Sequence, residues 1–177
     1  MTRTVRRIIA LLLVSLAAAA CGTGTPAAST APKAATFDEF GTAYCAAWDE
    51  LFTAIGNPDT GSKSALSAEF EKAVTAGDAA NAERLARTIN AHLATGRGHV
   101  AVASGWPSAG PMLAEMDRVL LAFVAMTDAR RSGADPQAAF EKAGGVVAWQ
   151  AMFEAGRTIV RPADAGSRQC PTVSVGY

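Results

Sequence analysis

The side chains in this chain that could do chemistry fall into three sets: the cysteines Cys21, Cys45 and Cys170, the histidines His92 and His99, and the adjacent carboxylates Asp38-Glu39 and Asp49-Glu50. His92 and His99 are the only histidines and stand seven residues apart. On an unbroken helix that spacing puts them on one face but about 10 Å apart along the axis. A metal ion holds its nitrogen ligands at about 2.0–2.1 Å, so this pair cannot chelate as an i,i+4 pair can. Two polar-face histidines are therefore expected, and no metal ligand set is assigned. Neighbouring carboxylates on a helix point in different directions, which makes poor acid/base dyads and good solvated faces. The sequence contains no G-x-S-x-G elbow, phosphate-binding glycine loop, H-E-x-x-H pair or dinucleotide fingerprint. No catalytic residue is assigned and no enzyme activity is expected; an envelope hydrolase is the least favoured reading, because no nucleophile can be nominated.

The cysteines carry more information. Arg3, Arg6 and Arg7 precede an apolar run from Ile8 to Leu16, and Ala17 to Ala20 supply small residues before Cys21. This is the layout of a secretory signal over residues 1–20. The uncharged stretch is too short to span a hydrocarbon core of about 30 Å as a helix, so no permanent transmembrane anchor is expected. Ala18-Ala19-Ala20-Cys21 resembles the lipobox of bacterial lipoproteins, with Ala18 where Leu is usual. The resemblance covers only this leader. It implies cleavage before Cys21, lipid attachment to the Cys21 sulfur, and residence at the extracytoplasmic face of a cell membrane. Ordinary cleavage at Ala18-Ala19-Ala20 and release as a soluble protein is the alternative. With Cys21 acylated, Cys45 and Cys170 remain as one pair, and an exported, oxidising compartment permits a disulfide between them. No C-x-x-C and no neighbouring His supports a cysteine metal site.

Composition narrows the partners. The chain carries 16 Lys+Arg and 16 Asp+Glu, but three of the arginines lie in the leader and no acid does, which leaves 13 basic against 16 acidic side chains, a net of −3. No basic patch remains to follow nucleic-acid phosphates, and no polybasic segment to hold anionic headgroups. Membrane association would rest on the lipid, with an unidentified envelope protein or small ligand as partner.

The elements that must position these residues are helices. Residues 21–35, rich in Gly, Thr, Ala, Ser and Pro, read as a flexible linker. Residues 36–177 read as an all-α antiparallel bundle of about five helices ending in a tail tied down by Cys170. Thr36 and Glu39 form a capping box ahead of Phe37, Phe40, Tyr44, Trp48, Leu51, Phe52 and Ile55, a stripe at steps of three and four. A second helix is expected from about Ser64 to Ala76, with Leu66, Phe70 and Val74 inward. A third runs from Ala79 to at least Thr95, with Leu85, Ile89 and Leu93 inward and an extension to Ala103 if Gly96 and Gly98 allow it. Gly110-Pro111 opens a fourth, buried along Leu113, Met116, Leu120, Phe123 and Thr127. Asp135-Pro136 opens a fifth, with Phe140, Val147, Ala151, Met152 and Phe153 inward and Gly144-Gly145 able to kink or split it. Thr172 to Val175 is the only strand candidate.

The expected function is a non-catalytic binding or scaffolding module of the cell envelope, without a cofactor. The competing expectation is a carrier of a small ligand, metal or haem, built on His92, His99 and Trp106, with Met112 or Met116 as a possible second haem ligand. Trp106 lies in a Gly- and Pro-rich connection, where it either lids the core or anchors a ligand.

Overall fold

The computed structural model describes residues 36–163, 165 and 170–171. Cys21, the leader, the linker and the Thr172–Val175 strand candidate lie outside the described residues. The fold is all-α. Six α-helices are described: α1 (Phe37–Ala54), α2 (Ala65–Thr75), α3 (Ala79–Ala103), α4 (Gly110–Arg131), α5 (Pro136–Lys142) and α6 (Gly145–Gly156), with a 3-10 turn at Pro107–Ala109. The central helices are α3 and α4, which pack on each other; α1 and α2 lie on α3, while α5 and α6 lie on α4.

Local chemistry sets most of the boundaries. The Thr36 hydroxyl accepts the Glu39 N–H at 3.1 Å while the Glu39 carboxylate accepts the Thr36 N–H at 2.7 Å, so the expected capping box forms. Ser64 caps α2 through the Ser67 N–H at 3.0 Å, and its own hydroxyl donates to the Ala54 carbonyl at 3.1 Å, fastening the start of α2 to the end of α1. Between them a two-residue antiparallel ladder, β1 (Gly56–Asn57) with β2 (Ser62–Lys63), closes the turn; the sequence pattern suggested only a loop there. The Lys63 ammonium pairs with Glu71 across to α2 and holds that carboxyl below its ordinary range. Asp78 caps α3 through Asn81, and Asp135 caps α5 through the N–H groups of Gln137 and Ala138.

Glycines in two of the expected helices have different outcomes. α3 runs unbroken through Gly96 and Gly98 to Ala103, the longer of the two expected extents. Gly96 is buried where α3 lies between α1 and α4, and a Cβ there would meet Glu50 Cβ at 3.4 Å, the Ala47 carbonyl oxygen at 3.5 Å and Leu120 Cδ1 at 3.6 Å, ordinary van der Waals contact. At the other end of the chain, Gly144 takes φ +79° and splits the expected fifth helix into α5 and α6.

The core follows the expected stripes in α1, α3 and α4: Phe40, Trp48, Leu51, Leu85, Ile89, Leu93, Leu113, Met116 and Leu120 are all essentially inaccessible. Phe52, Ile55, Leu66 and Val74 are partly buried against it. In α6 the expectation holds for Met152 and fails for Val147 and Phe153. Val147 is 71% exposed and Phe153 43%, while Gly145, Ala148 and Met152 face inward. The left-handed Gly144 restarts the helix at a new azimuth, so the stripe counted through from Phe140 loses its phase.

Candidate functional site

Helices α1 and α3 meet at His92, whose Nδ1 lies 2.6 Å from the Glu50 carboxylate. The pair is half-buried and bridges two helices, which gives His92 a structural partner. His99, two turns further along α3, is partly buried and has no hydrogen bond to another described side chain. Trp106 stands in the α3–α4 connection, edge-on to Phe37 with ring centroids 5.4 Å apart, and its indole N–H donates to the Val160 carbonyl at 3.3 Å. The Ser108 hydroxyl donates to the same carbonyl at 3.3 Å. Trp106 is therefore the lid of the core's α1 end and the tie for the segment after α6. Of the three residues of the expected ligand region, His92 is engaged by Glu50 and Trp106 by Phe37 and Val160, and no described contact joins the three. Met112 and Met116 are buried among core residues. Among the described residues no group of three His, Cys, Asp or Glu side chains could hold a metal ion.

Cys45 of α1 and Cys170 form a disulfide, with Cα atoms 5.2 Å apart, and both are buried. This is the expected pairing. The carboxylates also find structural work: Glu39 caps α1 and Glu50 holds His92.

Concavity appears elsewhere, where α4, α5 and α6 converge. A cleft of about 290 Å³ opens there, with Phe123 and Met126 of α4 at its base. Phe140 of α5, Val146 and Trp149 of α6 and Pro58 also line it, and the exposed amides of Gln137 and Gln150 stand at its edge. No lining residue carries a charge. Phe123 and Phe140 approach to 4.8 Å, and Phe123 and Trp149 lie edge to face at 6.5 Å. Trp149 in turn touches buried Trp48 at 5.8 Å on one side and exposed Phe153 at 5.6 Å on the other. The aromatic wall thus runs continuously from the core to the surface.

Sequence reasoning missed this cleft. Phe123 and Phe140 were assigned to the core, and Trp149 to nothing. A signal was present in Gly-Val-Val-Ala-Trp-Gln-Ala-Met-Phe-Glu-Ala-Gly, the sequence of α6, which is apolar nearly all round. Such a helix is either buried on every side or presents a second apolar stripe. Here Val146, Trp149 and Phe153, at steps of three and four, form that second stripe with Gln150 among them.

A second hollow of about 360 Å³, between α3 and α4, is edged by Arg97 and Asp117. These two pair with each other at 2.7 and 3.3 Å, a contact that raises the Arg97 pKa further. Its charges are already spent on the helix interface. The cleft at α4, α5 and α6 is accordingly the candidate site. In comparisons with known proteins, no family model, curated protein or solved structure matches the chain.

Proposed function

We propose that the chain is a lipoprotein held by its Cys21 lipid at the extracytoplasmic face of a bacterial membrane, and that its helical domain is a non-catalytic binding or scaffolding module. The observation that carries this reading is the Cys45–Cys170 disulfide. A stable disulfide belongs to an oxidising compartment, which agrees with the secretory layout of residues 1–20. Using two of three cysteines leaves Cys21 as the odd one, at the residue that resembles a lipobox cysteine. No described helix is long and apolar enough to cross a membrane; the Cys21 sulfur is the attachment point that the lipobox resemblance supplies. The non-catalytic part of the reading rests on His92 and Glu50 being paired with each other across a helix seam, away from the cleft.

Cys21→Ala tests the anchor. In the native host the wild-type protein is expected in the membrane fraction and the variant in the soluble exported fraction. A variant that still sediments with membranes, or a wild-type protein found in cytosol with its first 20 residues attached, would end this reading.

A further inference from the structure

Building on the binding-module reading above, we infer that the cleft between α4, α5 and α6 binds a compact, uncharged, ring-bearing small molecule that offers one hydrogen-bonding group to the glutamine edge. Size comes first. The space of about 290 Å³ is at the lower end for ligand pockets. At roughly 30 Å³ per water-sized group, it admits about ten non-hydrogen atoms.

Charge comes second. The lining is aromatic, aliphatic or amide, so a charged ligand would lose its hydration with no ion to replace it. Electrostatic complementarity therefore selects a neutral molecule. Phe123 packs against Phe140 at 4.8 Å and edge to face with Trp149 at 6.5 Å, so the lining is a contiguous aromatic surface on which a further ring can stack, and flexible Met126 adapts the base.

Polarity comes third. The Gln137 amide NH2 donates to Glu141 at 2.8 Å, which leaves its carbonyl oxygen to accept from a ligand. The Gln150 amide makes no hydrogen bond to a described residue and can either donate or accept. The edge therefore recognises a hydroxyl or N–H on the ligand.

The site is also built in advance. A Cβ on Gly145 would fall 2.5 Å from Phe140 Cζ, which means that the Phe140 ring rests directly on the first turn of α6. The glycine pair between α5 and α6 thus fixes one aromatic wall, so the cleft needs little ordering before a ligand enters.

The experiment is a titration of the purified full-length Cys21→Ala protein with 2-naphthol, followed by ¹H–¹⁵N NMR. Saturable shifts are expected at the Trp149 indole N–H and the Gln150 side-chain amide. The anionic analogue 2-naphthoate should bind at least tenfold more weakly. Val146→Trp, which enlarges a lining side chain, should abolish the shifts, whereas Val147→Trp on the outer face should leave them unchanged; circular dichroism establishes that both variants fold. Absence of saturable shifts, equal binding of 2-naphthoate, or full binding by Val146→Trp would each overturn the inference. Membrane fractionation of Cys21→Ala is independent of this result, so an anchored protein with an empty cleft would sink the ligand and spare the anchor.

Discussion

Tyr44 and Trp48 stand one helical turn apart on the buried face of α1, and each brings a polar atom into an apolar interior. Burial pushes the Tyr44 phenol above its ordinary value, with the Trp48 indole the smaller, opposing influence. The Trp48 N–H closes no hydrogen bond of good geometry, so desolvation governs the pair. A tyrosine whose folded pKa lies above its unfolded value of about 10 stabilises the fold fully below that value. The contribution falls as pH rises past about 10 towards the folded pKa, because the unfolded chain releases the proton more readily. Urea midpoints of the Cys21→Ala protein should therefore drop between about pH 9.5 and 11. Adding Tyr44→Phe should make that drop shallower, and an identical pH profile would show that the phenol titrates as though solvated.

At the scale of elements, the α1–α2 connection depends on one glycine. Gly56 has φ +106°, outside the range open to other residues, and a Cβ there would collide with the Ser62 carbonyl oxygen and stand 2.6 Å from the Ser64 nitrogen. Both obstacles are backbone and cannot swing aside. Gly56→Ala should cost at least about 2 kcal/mol, measured by urea unfolding. It should also increase hydrogen exchange in α2, because the Ser64 contacts to Ala54 and Ile55 that fasten α2 to α1 lie beside the collision. A change under about 0.5 kcal/mol would mean that the ladder can rearrange freely. The same glycine shows what could be read from the sequence. Its place just past Ile55, the last residue of the expected first stripe, agrees with the end of α1, and Thr36, Ser64, Pro111 and Asp135 marked helix starts, because caps and breakers act within a few residues. The β1–β2 pairing was not legible, since two residues have no period. Nor were the outward Val147 and Phe153, because a single left-handed residue at Gly144 resets the helix phase without changing its composition. The cleft lay further out of reach: it is a shape made by Pro58, Phe123, Phe140 and Trp149, residues that come together only after four segments have packed.

For the molecule as a whole, the Cys45–Cys170 disulfide closes a loop of 125 residues, nearly the entire folded domain. The helices do not need it to find one another, since α1, α3, α4 and α6 share a core of which only the two cysteines themselves belong to the bridge. Its effect should therefore fall on the unfolded chain, whose ends it restrains. The loop-entropy relation gives about 5 kcal/mol for a loop of this length. For a domain of this size, that corresponds to a fall in Tm of roughly 15 °C when the bridge is removed. A Cys45→Ala/Cys170→Ala protein should accordingly keep its far-ultraviolet circular dichroism at 20 °C but melt about that much earlier. An unchanged Tm would mean that the closed loop costs the native state as much strain as it saves in chain entropy. Loss of helix at 20 °C would mean instead that the tail helps to organise the core, and that α1 is set in place by its covalent tie rather than by the aromatic stripe from Phe37 to Leu51.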